Sequence, residues 1–442
     1  MPYSVGLVNL GCAKNQVDGE IMLATLRKAG YIIRDDASLA DIALVNTCGF
    51  ITAAKQESIN EILELTKLKA EGKIKAIIVT GCLAERYREQ VMKEIPEVDA
   101  VAGIGADSDI VSVVKEAVGG RREQLFPEKT KLPLCGERVL LTPSWSVYLK
   151  IAEGCNNRCS YCAIPMIRGR YRSRTLENIV EEAECLAKNG ARELILIAQD
   201  TTCYGIDLYG KYMLPELLHR LCKIPGIEWI RVLYAYPETI TDELLYTIAG
   251  EEKVVPYIDL PLQHCNGEIL RSMRRGGDRR TLDALIRRMR REVPGLVLRT
   301  TLIAGYPGET PEQFDELCSF VRETRFERLG CFAYSQEEGT AAAALPGQID
   351  EEEKQRRAET IMELQMNIMQ EQGEAMAGHT LRVLTEGFDR FADCWFGRSY
   401  MDSPDVDGKI YFQAKGEKPV PGRFVNVRIT DCIDGDLTGE TV

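Results

Sequence analysis

In residues 1–140 short unbroken apolar runs alternate with stretches of helical periodicity. The runs SVGLVNL, DIALVNT, KAIIVTG and DAVAGIG predict strands, and DGEIMLATLRKAG, AKQESINEILELTKLKAEG and SDIVSVVKEAV predict helices between or after them. Strand runs without polar alternation are buried on both faces, which implies a parallel sheet covered by helices on either side. The same alternation returns after residue 141. SVYLKIAEG, ELILIAQD, WIRVLYAYP, YIDLPLQ, VLRTTLIAG and RLGCFAYS alternate with helical stretches, predicting a partial (β/α)6 barrel. EEEKQRRAETIMELQMNIMQEQGEAM reads as one long helix. Beyond Gly378 the β-rich runs HTLRVLTEGF, GKIYFQA and RFVNVRITDC lie between Asp, Gly and Pro clusters, as expected of a small antiparallel β-barrel of the OB type. The expected class is α/β, with an open parallel sheet domain over 1–140, the partial barrel over 141–374 and the small barrel over 375–442.

With 442 residues, 45% of them hydrophobic, the chain can bury a sizeable core. No run approaches the roughly 20 apolar residues of a membrane helix. MPYSVGLVNL lacks a basic leader and enters a strand directly, so a cytoplasmic protein is expected. The formal charge of −12 argues against sequence-blind nucleic-acid binding and suits a basic protein partner. The last region holds eleven Asp or Glu against eight Lys or Arg, and Asp402, Asp405 and Asp407 are expected to face such a partner. Fifteen cysteines in a chain without an export signal point to thiolate ligands or buried thiols rather than disulfides.

Two groups of cysteines carry the chemistry. Cys12, Cys48 and Cys82 follow three successive strands, each beside a glycine that leaves room at the backbone. Carboxyl ends of parallel strands converge on one edge, so the three thiols are expected to share a metal centre. Any one of them alone would read as a buried core thiol. Cys155, Cys159 and Cys162 stand in EGCNNRCSYCAIP with C-x3-C-x2-C spacing. Three thiolates on one loop leave one iron of a four-iron cluster open to another ligand. Zinc would require a fourth ligand, and none of His219, His264 and His379 lies beside the loop. Polar residues gather at the carboxyl ends of the later strands, where barrel active sites form: Gln199, Asp200, Tyr236, Gln263, His264, and Gly305 through Glu309. Arginines follow the loop in IRGRYRSR, and nine more run from Arg271 to Arg291. The first set suits an acidic ligand or a solvated strand; the second reads as a solvated helix face, with nucleic-acid contact as the sharper alternative.

The C-x3-C-x2-C loop resembles the signature of radical S-adenosylmethionine (SAM) enzymes. With three cysteines ahead of it and a small TRAM-like barrel behind, the whole chain is similar to the methylthiotransferases. LGCAKNQVDGE, NTCGFITAAKQESI, EGCNNRCSYCAIPMIRGRYRSR and AQDTTCYG resemble the branch acting on a ribosomal protein more than the transfer-RNA branch, which remains the alternative. Ala13 and Gly19 depart from that pattern, which usually has Pro and Ser there. The resemblance implies two 4Fe-4S clusters, one on Cys155, Cys159 and Cys162 that cleaves SAM to the 5′-deoxyadenosyl radical, the other on Cys12, Cys48 and Cys82 that presents sulfur. It implies methylthio insertion at the β-carbon of an aspartate in the twelfth small-subunit ribosomal protein, an electron donor such as flavodoxin or ferredoxin, and a monomer. SAM contacts are expected from Tyr161, Gln199, Asp200, Gln263, Gly305 and Glu309, with no catalytic residue beyond the cluster ligands. A non-catalytic iron–sulfur carrier is the reading from another class.

Overall fold

The computed structural model describes residues 2–129 and 134–442. Strands β1 (Ser4–Asn9), β2 (Ile32–Arg34), β3 (Ile42–Thr47), β4 (Ala76–Gly81), β5 (Ala100–Ala102) and β6 (Glu123–Leu125) form a parallel sheet in the order β2-β1-β3-β4-β5-β6. Every residue of β3 and β4 is buried, which is why those runs show no alternation. Leu44 and Ile78 pack with Met22 and Val113 on one face, while Val45 and Ile77 pack with Ile62 and Leu83 on the other. Edge strands β2 and β6 are three residues each, too short to show a periodic pattern, and the sequence reading missed them. The strand order reverses between β1 and β3, and Cys12 and Cys48 follow those two strands. In open α/β sheets such a switch point leaves a crevice at the carboxyl ends where ligands bind.

The second sheet is parallel throughout, built from β7 (Ser146–Lys150), β10 (Glu193–Ile197), β11 (Trp229–Val232), β12 (Val254–Asp259), β13 (Val297–Ala304) and β14 (Arg328–Ala333) in sequence order. It stays open, with β7 and β14 as its edges. A two-stranded ribbon of β8 (Ala152–Glu153) and β9 (Arg172–Ser173) closes the base of the loop that carries Cys155, Cys159 and Cys162. Strands β15 (Thr380–Asp389), β16 (Cys394–Arg398), β17 (Ile410–Gln413), β18 (Phe424–Ile433) and β19 (Asp436–Thr441) close a five-stranded barrel. One of its pairs, β17 with β19, is parallel. A ring with an odd number of strands cannot alternate direction all the way round, so a wholly antiparallel barrel is geometrically impossible here. No helix among the described residues is long and apolar enough to cross a membrane.

A closed eight-stranded barrel fills its interior with its own side chains. The open central sheet recruits the other two regions instead. Tyr148, Ile195, Trp229 and Tyr257 on its inner side pack with Val17 and Ile21 of the first region and with Leu384 and Phe424 of the last. Trp229 meets Phe424 edge-on at 4.6 Å between ring centroids.

Buried charges join the last barrel to the amino-terminal end of the central strands. Glu193 lies between Arg398 (2.7 Å) and Arg231 (3.0 Å), all three being 2% exposed or less. Burial alone would raise the Glu193 carboxyl, but the guanidiniums of Arg398 and Arg231 hold it at about 2. The same interface corrects the expected role of the acidic turn. Asp402 is buried against Arg328 (2.5 Å), Asp407 accepts from the Tyr257 hydroxyl (2.6 Å), and only Asp405 is exposed. Asp402 and Asp407 are therefore spent inside the protein and cannot meet a partner. Part of the arginine run is likewise tied to the chain's own acids. Arg279 pairs with Asp283 and Glu323, Arg290 with Glu327 and Arg288 with Asp242, while Leu282, Ile286 and Met289 of the helix Arg279–Glu292 face the core.

Removing one member of a buried ion pair leaves its partner charged and unsatisfied, at a cost of about 3–5 kcal/mol. Glu193→Gln should lower the unfolding free energy by about that amount at pH 7, read by urea denaturation. The folded carboxyl titrates near 2, below its ordinary 4.5, so its contribution is present above pH 4.5 and lost as the pH falls towards 2. The variant should therefore lose less stability than the parent across that window.

Candidate active site

The first three cysteines sit on turns that pack tightly on one another. Cys12 caps the helix Ala13–Lys28, Cys48 follows β3, and Cys82 opens the helix Cys82–Tyr87. Gly11 has φ +92°, and a Cβ there would stand 2.9 Å from the Cys48 Cβ. Gly81 has φ +91°, and its Cβ would lie 2.5 Å from the Thr47 carbonyl oxygen. A Cβ at Gly49 would lie 2.7 Å from the Leu83 backbone nitrogen. These glycines thus let the three turns approach each other, rather than leaving room for a ligand as the sequence suggested. Asn15, fully buried, ties the turns together. Its amide donates to the carbonyls of Leu10 (3.1 Å) and Thr47 (2.8 Å), and its oxygen accepts from the Cys82 thiol (3.4 Å).

The second cysteine loop is held at both ends. The Cys155 N–H donates to the Gly169 carbonyl (3.1 Å), and the Ser160 N–H to the Met273 carbonyl (3.0 Å). The Cys159 sulfur lies 3.0 Å from the Tyr236 hydroxyl, and the Asn157 N–H donates to the Cys155 sulfur (3.4 Å).

Both groups of cysteines open onto one cavity of about 320 Å³, lined by all six sulfur-bearing residues. Among the described residues no three His, Cys, Asp or Glu side chains converge tightly enough to hold a single metal ion. A mononuclear zinc requires ligands about 2.0–2.3 Å from one point, whereas a four-iron cluster takes one thiolate at each iron. Three thiols in each triad are the donor set that such a cluster takes. Gln199 gives a second sign that something fits here, because its amide oxygen and nitrogen both lie buried without a protein partner and the residue lines the cavity.

Electrostatics differ among the thiols. Burial opposes ionisation of Cys12, yet Lys14, Arg168 and the N–H groups of Asn15 and Lys14 outweigh it and hold the thiol below 9.0. Burial pushes Cys82 up to about 12, Cys155 to about 11 and Cys162 to about 12. Binding to iron would remove those protons, since metal ligation requires the thiolate.

Arg168 joins the two halves of the site. It is 1% exposed, and its guanidinium donates to Glu153 (2.9 Å), to Asp18 (3.1 Å) and to the Asn15 oxygen. Lys150 completes the network through Asp18 and through Glu153 at 3.1 Å. Two more cations line the cavity. Arg275 lies 4.0 Å from the Tyr236 ring centroid, and Lys14 lies 3.3 Å from that of Tyr234. Tyr234 and Gln263 adopt φ +61° and +71° without being glycine, a left-handed backbone that costs of order 1–3 kcal/mol and is kept by surrounding bonds. For Tyr234 these are its own N–H to Asp259 (3.0 Å) and the Thr201 N–H to its carbonyl (3.0 Å).

Of the expected SAM contacts, Tyr161, Gln199 and Gln263 line this cavity, as does Tyr236. Asp200, Gly305 and Glu309 do not. Asp200 binds Thr202 (2.7 Å) and the Asn157 amide (3.0 Å), behind the loop. Glu309 binds His264 (2.9 Å), Arg357 (2.6 Å) and the Gly305 N–H (2.7 Å), so its oxygens are spent within the fold. Sequence reasoning passed over Lys14, Asn15 and Tyr234, and left Arg275 inside a charge run. Lys14 and Asn15 at least stand beside Cys12, whereas nothing local marks Tyr234.

Three family profiles match the chain. The profile of an uncharacterized protein family, UPF0004, matches residues 4–103, that of the radical SAM superfamily residues 149–321, and that of the TRAM domain residues 377–442. Ribosomal protein uS12 methylthiotransferase RimO of Thermoanaerobacter sp. (strain X514) is 48% identical over 99% of both chains. The protein of that name from Lachnoclostridium phytofermentans is 48% identical over 98% of both. Among solved structures, the radical S-adenosylmethionine methyltransferase TsrM of Kitasatospora setae superposes with a TM-score of 0.55 at 15% identity, covering 76% of this chain and 77% of its own, a likeness of fold. With near-complete coverage at that identity, the chain belongs to the RimO family of radical SAM methylthiotransferases.

Proposed function

We propose that this protein inserts a methylthio group at the β-carbon of one aspartate of ribosomal protein uS12. The observation that carries this reading is the single cavity shared by two cysteine triads from different regions of the chain. A C–H bond beside a carboxylate is hardly acidic, so side-chain acid–base catalysis has little purchase on it. When bound, a 4Fe-4S cluster with SAM at Cys155, Cys159 and Cys162 supplies one-electron cleavage of the sulfonium and so a hydrogen abstractor, and a second cluster at Cys12, Cys48 and Cys82 supplies a seat for sulfur.

The chain's own residues do the positioning. The ribbon of β8 and β9 fixes the loop, and the Arg168 network fixes the first region against it. Tyr161, Gln199 and Gln263 hold SAM, while Asp200 holds the Asn157 amide of the cysteine loop and Glu309 holds His264, the neighbour of Gln263. Phe50, Ile164, Ala235 and Pro261 keep the cavity apolar where the radical would otherwise meet water. In this reading residues 1–140 carry the sulfur-presenting cluster, 141–374 the radical cluster, and 375–442 a substrate-binding barrel. That barrel sits at the amino-terminal end of the central strands, so it would grip uS12 at a part of its surface remote from the reacting aspartate. A charge of −12 favours encounter with a basic ribosomal protein. We further infer a monomer working in the cytoplasm with a flavodoxin or ferredoxin as electron donor. Transfer RNA as substrate is disfavoured by the arginine helix, whose charges are largely paired within the protein.

Replacing Cys155, Cys159 and Cys162 together with Ala should leave about half of the iron and abolish formation of 5′-deoxyadenosine. Replacing Cys12, Cys48 and Cys82 should also halve the iron, yet keep 5′-deoxyadenosine formation while ending methylthio insertion. Iron analysis and product chromatography check both; if the second variant still made modified product at the parental rate, separate roles for the triads would be untenable. Deleting the gene should remove the mass of one methylthio substituent from uS12 in intact-protein mass spectrometry. Unchanged uS12 together with loss of a methylthio group from transfer RNA would establish the other substrate.

A further inference from the structure

Among the described residues the shared cavity is lined by three cations, Lys14, Arg168 and Arg275, and by no Asp or Glu. Two of them have polar partners within the protein. Arg168 is neutralised by Asp18 and Glu153, and Arg275 donates to the Pro261 carbonyl (2.8 Å) while stacked on Tyr236. Lys14 differs. It is 6% exposed, and among the described residues its ammonium has no carboxylate partner and no hydrogen bond. Its contact is the Tyr234 ring, 3.3 Å away, with the electrostatic influence on Cys12 already described. An ammonium on a largely buried side chain, without a carboxylate or enough acceptors, is unfavourably placed, and one aromatic face offsets only part of that.

The platform beneath it is rigid. The Tyr234 backbone is held in its left-handed conformation by Asp259 and Thr201, and both Tyr234 and the Lys14 that lies over its ring line the cavity onto which the two triads open. Lys14 comes from the first region and Tyr234 from the end of β11, so the pair exists only where the two halves of the site meet.

The geometry points to Lys14 as the specificity-determining residue that receives the side-chain carboxylate of the substrate aspartate. This rests on the protein-directed reading above. The reacting β-carbon is bonded directly to that carboxylate, so gripping the carboxylate fixes the carbon that must lose hydrogen and gain sulfur. An ammonium left unpaired when the target is amidated or absent also discriminates against such ligands, because its desolvation is then uncompensated.

The test uses reconstituted holoenzyme with SAM and without reductant, and full-length uS12 as the probe. The wild type should bind uS12 at least tenfold more tightly than uS12 carrying Asp→Asn at the modified position. Lys14→Gln should bind the two alike, and Lys14→Arg should keep the preference. Under turnover Lys14→Gln should raise the KM for uS12 at least tenfold and not that for SAM. Equal wild-type affinity for the two forms of uS12 would overturn the inference, as would a preference that survives in Lys14→Gln, or an effect of Lys14→Gln confined to the KM for SAM. Should Lys14→Gln fail to take up iron, the wild-type comparison and Lys14→Arg still decide. A wild type that ignores uS12 and modifies transfer RNA would instead refute the protein-directed reading itself, and that is visible without any variant.

Discussion

The guanidinium of Arg168 lies buried between the turn that carries Cys12 and the loop that carries Cys155, bonded to Asp18 on one side and Glu153 on the other. A buried charge is tolerated only when paired and hydrogen-bonded, so Asp18, Glu153, Lys150 and Asn15 must all be in place together. Asp18 and Asn15 belong to the first region, and Glu153, Lys150 and Arg168 to the second. The network therefore can be satisfied only when the two regions are docked in one orientation. That orientation brings two triads of thiols, far apart in sequence, onto one cavity.

The same dependence recurs at the other end of the central sheet. Six strands leave the inner face of the sheet uncovered, and apolar residues from the first and last regions fill it. Glu193, Arg231 and Arg398 then fix the last barrel as Arg168 fixes the first region, by buried charges paired across the interface. Hydrophobic filling supplies affinity between the regions without much direction; the buried ion pairs supply the direction.

The parts legible in the sequence were those set by local periodicity or by spacing. Continuous apolar runs gave away the buried parallel strands, and cysteines at successive strand ends, or close together on one loop, announced shared ligation. What lay hidden was set by contacts between distant segments. Arg168 looks like any of four arginines in IRGRYRSR until Asp18 is seen beside it. Asp402 and Asp407 sit in a turn-forming acidic stretch and read as solvated, but the turn folds back onto Arg328 and Tyr257. Lys14 stands one residue beyond Ala13 in a cysteine motif, yet only Tyr234, in a backbone state no local pattern signals, shows where it points. Three-residue edge strands escape because they are shorter than the roughly four to eight residues over which a strand pattern can be read.

The central claim is that both cysteine triads bear clusters facing one common space. Electron paramagnetic resonance of the reduced, reconstituted protein tests it most directly, since two paramagnetic clusters across a cavity of about 320 Å³ must feel each other's field. The account predicts a spectrum broadened by magnetic interaction that collapses to a simple signal when either triad is replaced. A spectrum equal to the plain sum of two isolated clusters, or one that holds a single cluster in the unmodified protein, would contradict it.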